Sequence, residues 1–450
     1  MQRPVRLLAA PCALALALAL VPAAPAGAAD VLYVKAGRLI LDATKPPLAP
    51  GVLVITDGRI TAAGGADIQP PAGARRIDLG TLTVMPSLVD AHTHLGGGPP
   101  GNVPGQPLRL TSPAYAALKA QKNVDHALRL GVAAMRVLGT TDFLDVAIRN
   151  AVDDGTIPGP HIVPAAHPLS VEGGHDDFAP QPYTLRLADL YTPLHGYVGS
   201  PADAEKAVQL QIKYGATVIK LMASGGVGSP LDSPADQNLT LEEMQAAVQQ
   251  AHMHHLKVAA HAESLDAIMN AMRAGVDSIE HGSDLNQDAV DYMKAHHVVL
   301  VPTVHVALTF AAETRQARPG EPGGSSYSQF KGRALAEKHA ASFALALKNG
   351  VTMAAGSDNS YGADSTGIIA ELVSDVEHGM TARQAIETAT LNGAALLGIP
   401  TLGALEPGME GDFLAVNGDP LNDIHALQKV EMVVYKGRVV TDETSKKTSQ

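Results

Sequence analysis

The stretch VIKLMASGGVGSP, residues 218–230, sets a single lysine, Lys220, inside an apolar run that ends in glycines. Such a run makes a buried strand, and a lysine is rarely buried without a partner. The rest of the chain must supply a counter-charge for Lys220 or a reason for its ammonium not to exist. Other runs of the same kind give it a setting. SLVDAHTHL (87–95), AAMRVLG (133–139), HIVPAA (161–166), KVAAHAE (257–263), SIEHGS (278–283), VVLVPTV (298–304) and TMAAGSD (352–358) are further strand candidates. Amphipathic stretches such as TLEEMQAAVQQAHMHH (240–255) and SLDAIMNAMRAG (264–275) lie between them. Thr240 and Glu243 form a capping box that opens the first of these.

Strands alternating with helical crossovers over about 300 residues predict an α/β fold, a (β/α)8 TIM barrel spanning residues 86–394. A doubly wound sheet is the alternative, but no Gly-rich phosphate fingerprint follows the first strand. Flanking the barrel, VKAGRLI (34–40) and ITDGRIT (55–61) read as hairpins, and FLAVNGDP (413–420) and VVYKGRVV (433–440) repeat the device. These two ends predict a small β-sandwich built from residues 30–85 and 395–450.

Ahead of it, Arg3 and Arg6, an apolar run from Leu7 to Val21 and Ala26-Gly27-Ala28 have the pattern of a cleaved signal peptide over residues 1–29. The apolar run is too short for a membrane span, which needs roughly 20 residues. The expectation is therefore a periplasmic or secreted protein with no membrane anchor. The only cysteine, Cys12, sits near the start of this segment, so the mature chain has no disulfides and no thiolate ligands. A net charge of −12 without a basic run argues against nucleic acid and anionic membranes as partners. A composition 46% hydrophobic and 17% charged is that of a folded domain. Eighteen histidines against no tryptophan favour metal chemistry without locating it.

Barrel chemistry gathers at the C-terminal ends of the strands. His92, His94, Lys220, His261, His281 and Asp358 all fall there. Residues i and i+2 of a strand face the same way, so His92 and His94 can chelate one ion. Taken singly, each of these residues has an ordinary explanation, Asp358 for instance as a helix cap. Together, in this order and each at a predicted strand end, they form one constellation. Three Gly/Pro-rich connections, 96–113, 171–183 and 318–329, open on the same face and are long enough to act as lids.

The ordered segments MPSLVDAHTHL (85–95), VIKLMASGG (218–226), VAAHAES (258–264), SIEHGS (278–283), AAGSDNS (354–360), ATLNGAALLG (389–398) and GALEPGMEGDFLAVNGDPL (403–421) resemble the metal-dependent amidohydrolase superfamily. KLMASGGVGSP (220–230) and the GGH at 173–175 are most similar to its imidazolonepropionase-like branch, which includes Xaa-Pro dipeptidases, other small carboxypeptidases and bacterial hydrolases of ochratoxin A. The resemblance implies two divalent metal ions. One would be held by His92, His94 and Asp358 and the second by His261 and His281, with Lys220 bridging them as a carbamate formed with CO2. Burial favours the free amine from which that carbamate forms, which answers the question posed by Lys220. Zinc suits these donors best. Asp358 would move the proton from the attacking water to the leaving nitrogen.

His175 is expected to meet the substrate carbonyl or carboxylate. It lies in EGGHDD (172–177), where the family usually continues GGHG, so Asp176 and Asp177 mark a departure in the local pocket. His305 is a second substrate-side candidate, and Gly225, Gly226 and Val227 are expected to line the pocket beyond Lys220. Arg136, mid-strand, reads as a structural ion-pair residue near the barrel base. His252, His254 and His255 read as solvated surface, and His167 has no assigned role. The function expected is hydrolysis of the amide bond to a C-terminal amino acid in dipeptides and N-acyl amino acids. The alternatives are hydrolysis of cyclic amides, or a metal-containing binding protein without turnover, for which a proton-transferring Asp358 would have no use. A small-molecule or dipeptide substrate and a homo-oligomeric state complete the expectations.

Overall fold

The computed structural model describes residues 29–95, 112–177, 191–229, 231–309 and 326–444. The leader-like segment up to residue 28 and parts of the three long connections, 96–111, 178–183 and 318–325, lie outside the described residues.

The chain opens with β1 (Val31–Ala36), β2 (Arg38–Leu39), β3 (Gly51–Thr56), β4 (Arg59–Gly65), β5 (Arg75–Asp78) and β6 (Thr83–Pro86). These strands divide between two sheets. One has the order β4-β3-β1-β5, and the other joins β6 and β2 to the C-terminal strands β14 (Phe413–Val416), β15 (Val430–Tyr435) and β16 (Arg438–Asp442). A single apolar cluster unites them: Leu32, Val34, Leu53 and Ile55 from the first sheet pack with Val84, Phe413, Met432 and Val434 from the second.

Turn chemistry dictates two of the hairpins. Asp57 and Gly58, between β3 and β4, have φ of 50° and 79°, and Lys436 and Gly437, between β15 and β16, have 48° and 73°. Two successive positive φ angles make the tight turn whose twist matches the flanking strands. VKAGRLI is different and corrects the sequence reading. β1 pairs with β3 and β5, whereas β2 pairs with β6, so the chain crosses between sheets at Gly37 instead of folding back. Glycine is required there by crowding, since a Cβ would lie 2.7 Å from the Gly80 carbonyl oxygen.

Between the two ends, β7 (Leu88–Thr93), β8 (Val132–Val137) and β9 (His161–Pro164) form one parallel sheet. β10 (Val218–Met222), β11 (Lys257–Ala262), β12 (Ser278–His281) and β13 (Val299–Val301) form a second. Every residue of β7, β8, β10 and β12 is buried, as parallel strands covered on both faces must be. Helices run in the crossovers. Leu241–Met253 carries the predicted capping box between Thr240 and Glu243. Leu265–Ala274 is capped by Ser264 and stopped by Gly275 in the left-handed region.

The predicted eighth strand departs from expectation. Residues 352–358 form no regular strand and pair with their neighbours through isolated bridges, Leu300 with Met353 and, one residue beyond, Thr93 with Asn359. The Asp358 amide donates to the His92 carbonyl at 2.7 Å and the Ala354 amide to that of Leu300 at 3.0 Å. A φ of 49° at Asp358 breaks the extended path that a longer ladder would need. On the opposite side, the Leu169 amide donates to the Lys220 carbonyl and the Met222 amide to that of Leu169, linking the two parallel sheets. Among the described residues no helix is long and apolar enough to cross a membrane.

Candidate metal centre and active site

Strand ends bring the constellation together. The ring of His92 lies 5.4 Å from that of His94 and 5.1 Å from that of His281, and His281 lies 4.7 Å from His261. Asp358 Oδ1 is 3.1 Å from His94 Nε2 and 3.6 Å from His92 Nε2. One ligand atom each from His92, His281 and Asp358 lies within 4.8 Å of the others, a cluster that could hold a metal ion. Lys220, only 1% exposed, rises from the middle of β10.

The four imidazoles fit metal ligation because each has one nitrogen already engaged. His92 Nδ1 donates to Glu280 Oε2 at 2.9 Å and His94 Nδ1 to the Gly139 carbonyl at 3.2 Å. His261 Nε2 donates to the Gly225 carbonyl at 3.0 Å, and His281 Nδ1 lies 2.7 Å from Thr303 Oγ1. The second nitrogen of each ring is left for the site. Anchoring one ring nitrogen fixes the tautomer and the aim of the other.

Electrostatics agree with this arrangement for three of the four rings, whereas at His94 burial is outweighed by Asp358, which raises that imidazole. Burial, helped by the charge of Lys220, pushes His92 down to about 4 against the pull of Asp358 and Glu280. Burial and neighbouring cations also hold His261 and His281 well below the usual range, so these rings are neutral at pH 7 and able to ligate. Burial opposes ionisation of Asp358, but His92, His94 and His281 together keep it ionised far below the ordinary carboxylate range. Burial lowers Lys220 to about 8, although Glu280 and Asp358 pull the other way.

Glu280 is the part of the site that sequence reasoning missed. It holds His92 with one oxygen and receives Arg136 NH2 on the other at 2.8 Å. Arg136 also donates to the Ala91 carbonyl and to Ser278 Oγ. The ion pair expected of Arg136 exists, but it lies directly beneath His92. Strict alternation would send Glu280 and His281 to opposite faces. A φ of 68° at His281 breaks the alternation and lets both reach the centre. Thr303, with φ of 51°, is strained in the same way and was equally invisible.

A model of the amidohydrolase family matches residues 83–440. The chain belongs to this family. It is 33% identical over 427 residues to ochratoxinase from Aspergillus niger, covering 91% of this chain and 86% of that protein. The crystal structure of that ochratoxinase superposes with a TM-score of 0.81 at 30% identity, covering 92% of this chain and 96% of that one. A Xaa-Pro dipeptidase crystallised with methionine in its active site gives 0.83 at 28% identity, covering 91% and 99%. Imidazolonepropionase from Deinococcus deserti is 24% identical over 395 residues, covering 84% and 88%. This amidohydrolase is thus a hydrolase acting on amide bonds.

Of the substrate-side candidates, His175 joins the cluster. Its ring stacks on that of His261 at 4.1 Å and 19°. Gly226 makes the contact possible, since a Cβ there would sit 2.2 Å from His175 Cε1. Gly225 supplies the carbonyl that anchors His261, and Val227 is buried next in the chain. His305 stands apart, with Nδ1 3.0 Å from Ser374 Oγ and its amide on Glu371. His252 Nε2 lies 3.0 Å from Asp277 Oδ2 at the surface, and His254 and His255 are exposed. His167 accepts from the Asp142 amide and packs against Phe143 and His195, not against the cluster.

Proposed function

We propose that this amidohydrolase carries two zinc ions and hydrolyses the amide bond to a C-terminal amino acid in dipeptides, N-acyl amino acids and related compounds such as ochratoxin A. The observation that carries the reading is the buried Lys220 beside Asp358 and four imidazoles, each with one ring nitrogen already anchored. His92, His94 and Asp358 would hold one ion and His261 and His281 the other, with Lys220 as its carbamate between them. Bound there, the ions would polarise a substrate carbonyl and make a water acidic enough to attack near neutral pH.

The chain's own groups do the rest. Asp358, ionised and 3.1 Å from His94, can take a proton from the attacking water and return it to the departing nitrogen. That delivery matters because an amide nitrogen leaves poorly unless protonated. His175 meets the carbonyl or carboxylate oxygen of the substrate, Gly225, Gly226 and Val227 line the adjoining wall, and His305, held by Ser374, is a second substrate-side candidate. The hydrogen bonds that join the two parallel sheets on both sides support a (β/α)8 barrel over residues 86–394. The apolar cluster shared by the terminal sheets supports a sandwich of residues 30–85 and 395–450. A leader over residues 1–29, export and a homo-oligomeric state belong to the same proposal.

Metal analysis together with kcat/KM for an N-acyl-phenylalanine and for its C-terminal amide tests the function. Two zinc ions per chain and at least about a tenfold preference for the free carboxylate are expected, because amidation leaves a buried polar partner unpaired. Equal values, or preference for a cyclic amide over both, would overturn it.

A further inference from the structure

His175 does not stand alone over His261. Its Nδ1 lies 2.5 Å from Ser229 Oγ and 3.3 Å from Asp232 Oδ2. The same Asp232 oxygen accepts the Gly226 amide at 2.8 Å, while the other faces Lys331 Nζ at 3.3 Å. Lys331, in the helix Ser326–Lys348, also donates to the carbonyls of Gly226 and Ser229 at 3.2 and 2.9 Å. Asp232 and Lys331 are both buried, at 4% and 6% exposed. A buried ion pair is an expensive way to close a loop that backbone hydrogen bonds could close by themselves. Its geometry suggests another use, since the two carboxylate oxygens point in different directions, one at the cation and one at the imidazole.

We propose that Asp232 and Lys331 are positioning residues for His175, fixing its ring and its tautomer so that Nε2 is the nitrogen offered to the substrate oxygen. The inference rests on the reading of His175 as a substrate contact. An anionic oxygen beside Nδ1 favours the tautomer in which that nitrogen is the donor and leaves Nε2 as the free nitrogen, as carboxylates do for catalytic imidazoles elsewhere. Lys331 holds the far oxygen, so the carboxylate cannot swing away from the ring. Burial opposes ionisation of Asp232, yet His175, Ser229 and the Gly226 amide hold it down to about 2. The unit also has a fixed relation to the metal centre. Gly226, bonded to both Asp232 and Lys331, follows Gly225, whose carbonyl anchors His261. His175 is thereby held against the ring it stacks on.

Asp232→Asn keeps an acceptor for the Gly226 amide and removes the charge beside Nδ1. In the zinc-loaded enzyme, with an N-acyl-phenylalanine as substrate, it is expected to lower kcat/KM about 10- to 100-fold with metal content unchanged. In a His175→Ala background the same change should cost less than about twofold, because the two residues act as one unit. Losses that simply multiply would show that Asp232 acts on the fold at large and would overturn the proposal. Imidazole 15N NMR adds a readout that needs no substrate. His175 should be protonated at Nδ1 in the native enzyme and lose that single tautomer in Asp232→Asn. An unchanged tautomer would overturn the proposal. Full activity in His175→Ala would instead overturn the substrate-contact reading on which it rests. If Asp232→Asn does not fold, Lys331→Met carries both measurements. It is expected to lose about tenfold in kcat/KM, and native activity with an unaltered His175 tautomer would overturn the inference.

Discussion

His92 and His281 face each other across 5.1 Å, yet the two sides of the centre are anchored by different chemistry. On the His92 side one outer partner is a carboxylate, Glu280, itself paired with the buried Arg136, alongside the neutral Gly139 carbonyl that holds His94. On the other side the partners are neutral oxygens, the Gly225 carbonyl for His261 and the Thr303 hydroxyl for His281. A carboxylate raises the basicity of the imidazole it holds and bonds it roughly twice as strongly as a neutral oxygen does. The His92 side is therefore the more rigid and the more strongly donating. The His261 and His281 side is softer, and it is the side on which His175 stacks. In the proposed centre a firmly held His92 would thus face a half that can adjust beside the substrate.

In the proposed centre Lys220 is the residue that both halves would share, and its loss should erase the contrast altogether. Lys220→Ala is expected to lower kcat/KM by more than about a thousandfold, in line with losing both a bridging ligand and its charge, and to deplete both metals in elemental analysis. Short carboxylic acids should recover part of the activity by occupying the vacated position. A variant that keeps two metals and native turnover would mean that the two halves are independent sites.

Glu280→Gln tests the firm half by itself. The amide preserves shape and leaves Arg136 buried without its counter-charge, which costs about 3 kcal/mol of stability. Thermal unfolding should show that loss. Titration with a chelator should show one of the two metals weakened about 10- to 100-fold and the other little changed. Equal weakening of both would show that the anchoring difference does not partition the centre.

Much of the proposed centre could be read in the sequence because its residues obey local rules. His92 and His94 are two apart on one strand, and Lys220, His261 and His281 interrupt apolar runs where a polar residue needs a reason. The hairpins at Asp57-Gly58 and Lys436-Gly437 were legible for the same cause, since positive φ at a turn has a short-range signature. Gly37 gave the same signal falsely, because what demands glycine there is the approach of Gly80 and Thr81 from another part of the chain. The outer partners escaped notice for a related reason. Glu280 reaches the centre only through the backbone reversal at His281, and Thr303 meets His281 from just beyond the end of β13. Asp232 and Lys331 come together from segments nearly a hundred residues apart, and neither breaks an apolar run. The 352–358 segment was placed correctly between its neighbours, but its strand character was overestimated because Asp358 must leave the extended path to aim its carboxylate.

The smallest effect expected is the one that sharpens the comparison most. Thr303→Val removes the hydroxyl that holds His281 and keeps a β-branched side chain of similar size. A neutral hydrogen bond contributes about 0.5–1.5 kcal/mol, less than one made to a charged group. The backbone at His281 also aims the ring independently of Thr303, since its φ of 68° is set by the chain's turn after β12. Metal affinity on this side should therefore fall by no more than about tenfold, with stability lowered by about 1 kcal/mol. Chelator titration of Thr303→Val beside Glu280→Gln gives the comparison directly. If the threonine change weakens its metal as much as the glutamate change weakens the other, charge on the outer partner is not what separates the two halves, and the softness of the His261 and His281 side must come from something other than its anchors.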